Sequence, residues 1–213
     1  MTYTDTDGTR TVFTPNGDGT YAPPPGVFKK LTRQVDASGV VSFTLESILS
    51  HLLETYDGGG NLVSRVDNNG NTTTFAYTDG VLASVTDASG RVTTFGYGGP
   101  DSGMVTVTDP AGRTFTYRRD AYGNLVSATD PTGAVVTMTY DAPAHRLTGL
   151  TDATGRTTTF GYDTDGRVTS VTTADGATWT FSYDPAASAA TVTTPDGQTY
   201  RYSFNSSANL VRL

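Results

Sequence analysis

The chain has 213 residues, of which 36% are hydrophobic and 16% charged, with 24 glycines and threonine the commonest residue. That length fits one β domain or a short repeat array, and the low apolar content suits a thin-walled sheet better than a solid globule. Fourteen basic against 21 acidic residues give a net charge of -7, with only Lys29-Lys30 and Arg118-Arg119 as basic spots, so nucleic acid is not an expected partner. The absence of cysteine excludes disulfides and thiolate metal sites, and no 18-residue apolar run points to membrane insertion. Any export signal is expected upstream, in a longer precursor of which this chain is a segment.

Residues 1–55 form an atypical N-terminal segment. Asp7-Gly8-Thr9-Arg10 and Asp36-Ala37-Ser38-Gly39 look like hairpin turns, while Pro23-Pro24-Pro25-Gly26 reads as a rigid surface loop, since no strand interior accepts three prolines. Leu45, Ile48, Leu49, Leu52 and Leu53 follow i, i+3, i+4, i+7, i+8, which predicts a short amphipathic helix with Thr44 as its cap. Such a helix would cover an open end of a β array or dock a partner.

From residue 56 to the end the chain repeats. Tyrosines at 56, 77, 97, 117, 140, 162, 183 and 202 mark a unit of about 20 residues. Each is followed by a glycine-rich turn such as Asp57-Gly58-Gly59-Gly60-Asn61, a short apolar run such as Leu62 to Val66, and a second turn such as Asp67-Asn68-Asn69-Gly70 or Asp152-Ala153-Thr154-Gly155. Aspartate opens such turns by accepting backbone N–H bonds two residues on, and glycine tolerates positive φ at the fourth place. Two strands joined by four turn residues make a hairpin.

The strand after the second turn places large residues two apart: Phe75/Tyr77, Phe95/Tyr97, Phe115/Tyr117, Met138/Tyr140, Phe160/Tyr162, Phe181/Tyr183 and Tyr200/Tyr202, with Trp179 extending one of them. A period of two assigns them to one face, an expected structural aromatic ladder, and leaves residues such as Thr74, Ala76, Thr159 and Gly161 on the other. In the strand before that turn, Leu82 with Val85, Leu147 with Leu150 and Val168 with Val171 are three apart, which calls for either a bulge or burial of both faces.

The string Gly-Arg-x-x-x-Phe-x-Tyr at Gly90–Tyr97 and Gly155–Tyr162, with Gly-x-Leu-x-x-x-x-Asp at Gly123–Asp130, closely resembles the YD or RHS repeat of Rhs, toxin-complex and teneurin proteins. The resemblance covers residues 56–204. It implies an all-β fold in which antiparallel hairpins form one continuous curved or spiral sheet closing into a hollow shell. It also implies a non-catalytic scaffold of a secreted or cell-surface protein, with the remaining repeats of a larger protein, or other copies, as partners. Toxin encapsulation with cargo carried elsewhere, and carbohydrate binding or adhesion as an alternative, belong to the same resemblance.

Catalytic and metal chemistry is not expected. His51 and His145 stand in no ligand or nucleophile motif. Asp163-x-Asp165-Gly166 lacks the later ligands of a calcium loop, and the glutamates, Glu46 and Glu54, are no glycosidase pair. Rhs proteins cleave themselves near Asp-Pro-x-Gly-Leu. Here Asp109-Pro110-Ala111-Gly112 and Asp130-Pro131-Thr132-Gly133 lack the leucine and stand in phase with ordinary repeat turns. No cofactor is expected, and heparin is disfavoured by the charge.

Overall fold

The computed structural model describes residues 1–5, 7–98, 103–207 and 209–212, and over these the chain is all β, with no helix. It divides into two compact units, Met1–Gly96 with Val107–Arg113, and Tyr97–Thr106 with Thr114–Leu213.

In the first unit β1 (Thr2–Thr4) and β2 (Arg10–Val12) form a two-stranded antiparallel sheet. The strands that follow are β3 (Thr14–Pro15), β4 (Thr20–Ala22), β5 (Lys29–Val35), β6 (Val41–Ser47), β7 (Leu53–Asp57), β8 (Leu62–Val66), β9 (Thr72–Thr78), β10 (Val81–Thr86) and β11 (Val92–Tyr97). Each pairs antiparallel with its neighbour in the chain. Phe13, Leu31 and Leu45, between 1% and 4% exposed, form a small core packed with Tyr3, Tyr21, Val27, Phe43 and Tyr56.

The second unit repeats the same pattern. Its strands are most of β12 (Met104–Thr108), then β13 (Thr114–Arg119), β14 (Leu125–Thr129), β15 (Val135–Tyr140), β16 (Leu147–Thr151), β17 (Thr157–Tyr162), β18 (Val168–Thr172), β19 (Thr178–Asp184), β20 (Ala189–Thr193), β21 (Thr199–Phe204) and β22 (Leu210–Arg212). From β13 onward each again pairs antiparallel with the next. Neighbour pairing hides the edges of strands too short to stand alone.

The helix expected over Leu45–Leu53 does not form. Leu45 lies in β6, paired with Leu31 on one side and Glu54 on the other, residues 48–50 turn, and Leu53 opens β7. A helical stripe would bury all five apolar residues together, yet Leu45 is 2% exposed while Ile48 is 50% and Leu49 76% exposed. The deciding pattern is the period of two in Val41, Phe43 and Leu45, which satisfies the β6 backbone against seven partners on β5 and five on β7. Thr44 caps nothing; it pairs with Thr32 and Thr55. Pro23–Gly26 lies in the loop between β4 and β5.

Candidate functional site

The repeat turns are built as their composition requires. At Asp152 the backbone N–H donates to the Arg156 carbonyl at 2.9 Å, and Gly155 N–H donates to Asp152 O at 2.9 Å with φ +83° at the glycine. Asp152 Oδ1 accepts from Thr154 N–H at 2.9 Å and Arg156 N–H at 3.0 Å, and Oδ2 accepts from Arg156 Nε at 2.8 Å. The Thr154 hydroxyl and the Arg156 N–H hold the Asp152 carboxyl well below the usual carboxylate range. Asp67 uses Asn71 in place of the arginine, and the Asn71 side-chain amide and backbone N–H lower its pKa likewise. Asp163 and Asp165, which open like a calcium loop, belong to the same kind of turn: Asp163 Oδ1 accepts from the N–H groups of Asp165 and Arg167. Among the described residues no group of three or more His, Asp or Glu side chains is arranged to hold a metal ion.

The leucines and valines three apart are reconciled by β-bulges. On β10 the register jumps between Leu82 and Ser84, so Leu82 faces Tyr77 and Val85 faces Phe75. The same one-residue slip pairs Leu147 with Tyr140 and Leu150 with Met138, and Val168 with Tyr162 and Val171 with Phe160. One extra residue per bulge turns an odd spacing into a shared face. The apolar residues of both strands of a hairpin thus meet on the ladder face.

A bulge interrupts the ladder of backbone bonds, and the tyrosine hydroxyls supply the missing partner. Tyr140 Oη donates to Leu125 O at 2.8 Å, Tyr162 Oη to Leu147 O at 2.7 Å and Tyr183 Oη to Val168 O at 2.8 Å. Each bond runs from one repeat to the bulge residue of the repeat before it, which explains a tyrosine, rather than a phenylalanine, at that place. Turn arginines add a second link: the Arg146 guanidinium lies 4.9 Å from the Tyr162 ring and Arg167 lies 4.8 Å from the Tyr183 ring. Arg146 is also paired with Asp141, and Arg167 with Asp163.

Of the ladder residues, Phe75, Tyr77, Phe95, Phe115, Tyr117, Tyr140, Phe160, Tyr162, Trp179, Phe181, Tyr183 and Tyr202 are half-buried. Tyr97 and Tyr200 are 48% and 47% exposed. In the second unit the register places Phe160 against Val171, Val171 against Trp179, Phe181 against Val192 and Val192 against Tyr200, so the ladder crosses these hairpins on one face. The opposite face is Thr, Ser and Gly, with Thr151 meeting Thr157 and Thr172 meeting Thr178 hydroxyl to hydroxyl at 2.8 and 2.9 Å.

Sequence agrees with this geometry. Residues 101–135, 119–142, 140–178 and 162–186 match the RHS Repeat family. Residues 101–186 carry RHS repeats. The crystal structure of TcdB2-TccC3-Cdc42 and the structure of the Photorhabdus luminescens Tc holotoxin pore with mutated TccC3 each match 99% of this RHS-repeat chain, at 15% identity and a TM-score of 0.53. The crystal structure of TcdB2-TccC3 without its hypervariable C-terminal region gives a TM-score of 0.52 at 15% identity. The likeness is one of fold, and the RHS-repeat chain spans 15% of the length of each of these chains. No curated protein matches it in sequence.

The bulge-to-tyrosine bond and the arginine-over-tyrosine contact escape a reading of residue types alone. Their signal was present in the fixed phase of Tyr, Leu or Val, and Arg, but only the register shows which repeat each residue reaches.

Sequence reasoning also passed over a groove in the second unit, of about 440 Å³, lined by Leu150, Asp152, Arg156, Thr158, Ala177 and Trp179 together with the turn Thr173–Asp175. Its signal is a departure from the repeat. Trp179 takes the place held by Thr73, Thr93, Phe115, Val136 and Thr158 in other hairpins, and Ala177 the place held by Asn71, Arg91, Arg113, Ala134 and Arg156; the indole and the small residue coincide here.

Proposed function

We propose that this chain is a non-catalytic structural scaffold, a segment of an Rhs- or teneurin-like β-shell of a secreted or surface protein, with any toxin cargo carried elsewhere in that protein. The observation that carries the reading is the linkage of successive hairpins: Tyr140, Tyr162 and Tyr183 are each bonded to the bulge carbonyl of the preceding repeat. Such links hold a thin sheet together where a thick core is lacking, since fully buried apolar residues among those described are few. In this reading residues 56–213 are the repeat array and residues 1–55 a terminal segment. Its support is that bulged pairs begin at β7 with β8, where Thr55 and Tyr56 straddle the first register shift among the described strands.

The test is made in the natural full-length protein. Opening the ladder with Phe160→Ala and Phe181→Ala should expose segments outside this chain to protease at concentrations that leave the parent protein intact. Equal protease resistance of those segments in parent and variant would overturn an enclosing role.

A carbohydrate or cell-surface adhesion module is the second reading, and it is favoured by the exposed rings of Tyr97, Tyr200 and Tyr122, the last 74% exposed. Binding on a glycan array that disappears with Tyr97→Ala or Tyr200→Ala would establish it; a blank array would dismiss it.

A further inference from the structure

We propose that the groove at Trp179 is a binding site for a guanidinium group presented by a peptide segment, with the indole as the stacking surface and Asp175 as the counter-charge. The proposal goes beyond the scaffold reading, because nothing in the linkage of the hairpins requires it.

The groove arises where several departures from the common repeat fall together in one hairpin. An indole stands where several other hairpins carry threonine or valine and one carries Phe115, and the side chain that would lie beside it is shortened to Ala177, as it is to Ala134 in one other turn, where Asn71, Arg91, Arg113 and Arg156 stand elsewhere. The turn is opened by Thr173 in place of aspartate, as the following turn is by Thr194, and the carboxylate moves two residues on: Asp175 Oδ1 accepts from the Thr173 hydroxyl at 2.5 Å and from Ala177 N–H at 3.2 Å. Asp175 Oδ2 has no hydrogen-bond partner among the described residues and remains available. The Thr173 hydroxyl keeps this carboxyl below its ordinary pKa, so it is charged at neutral pH.

Charge in the groove favours a cation. Its charged groups are Asp152, Arg156 and Asp175, and the first two neutralise each other in an ion pair at 2.8 Å, leaving one net negative charge. Trp179 is the best aromatic for a cation to stack on. Among the described residues cations lie over Tyr3, Tyr162 and Tyr183, and none lies over Trp179. The protein itself uses the proposed chemistry twice in this unit, where Arg146 and Arg167 each lie over a tyrosine while held by an aspartate. The Trp179 groove has the ring and the carboxylate, while its own arginine, Arg156, is held by Asp152 and not stacked on the indole. A planar, weakly hydrated guanidinium suits an indole face better than an ammonium does, and about 440 Å³ is room for an extended arginine side chain with its backbone.

Trp179 is the single tryptophan of this chain, so the emission of this chain, excited selectively at tryptophan rather than tyrosine, reports on the groove. Titration with a capped Gly-Arg-Gly peptide should give a saturable change in emission, and the same peptide with neutral citrulline should give none. Asp175→Asn, which keeps a turn acceptor, should weaken binding about fivefold, and Ala177→Arg should abolish it by supplying the missing side chain. Circular dichroism establishes that both variants are folded. Equal responses to the arginine and citrulline peptides, no response to either, an unchanged affinity in folded Asp175→Asn, or a response to a neutral oligosaccharide but not to the arginine peptide would each overturn the proposal.

Discussion

Phenylalanine and tyrosine do different work in this repeat, although they stand two apart on the same face. Phe160 packs against Val171, whereas Tyr162 also carries a hydroxyl that satisfies the Leu147 carbonyl beside a bulge. Tyr162→Phe removes only that hydroxyl and leaves a half-buried carbonyl without its partner. The expected loss is about 1 kcal/mol, read as a melting temperature lower by about 2 to 4 °C for a chain of 213 residues. An unchanged melting curve would mean that water replaces the hydroxyl without cost. Gly155 is a second point where one residue type is required, since its φ of +83° belongs to the left-handed region. A Cβ there would meet nothing within 4 Å, so Gly155→Ala isolates the backbone term. It should destabilise by about 1 kcal/mol, and a neutral or stabilising result in denaturant unfolding would show that the turn relaxes.

At the level of the hairpin, the two faces predict opposite responses. Phe160 is half-buried among apolar partners, while Thr159 is exposed and pairs with Gly149 and Thr172 on the polar face. Truncation of a fully buried phenylalanine costs about 3 to 5 kcal/mol, and half burial lowers the expectation for Phe160→Ala to about 2 kcal/mol. Thr159→Ala should change stability by less than about 1 kcal/mol. Equal melting curves for Phe160→Ala and the parent protein would remove the ladder from the account of stability. The hairpins were legible in sequence because every turn residue has a local reason: Asp accepts two N–H groups, and Gly takes positive φ. The spacing of Leu147 and Leu150 was ambiguous because a bulge is a property of a strand pair, invisible until the partner register is known. The segment Leu45–Leu53 was misread because two periods coexist there, and the helical one lacked any partner face. Trp179 was legible as a ladder residue, but the groove beside it depends on Ala177 and Arg156 from two different hairpins.

Across the whole chain the turns share one electrostatic device, and their responses to acid should coincide. The Asp67, Asp109, Asp130 and Asp152 carboxyls are lowered chiefly by the side chains of Asn71, Arg113, Thr132 and Thr154 respectively, each helped by backbone N–H groups within its turn. A carboxyl whose folded pKa lies below its unfolded value of about 3.9 binds protons more readily when the chain unfolds. Its contribution is therefore complete above about pH 4 and is lost as pH falls through the lowered folded value. Each turn is exposed and its share is small, but the repetition places many such groups in the same window. The melting temperature should stay level from about pH 7 to about pH 5 and then fall steeply below about pH 4. Protonation also removes the acceptor that organises each turn, so Asp152→Asn should flatten the acid limb slightly, and replacing Asp67, Asp109, Asp130 and Asp152 together should flatten it visibly while lowering stability at neutral pH. Differential scanning calorimetry from pH 7 to pH 2.5 separates the possibilities: an acid limb as steep in the fourfold variant as in the parent would place the acid sensitivity outside the turns.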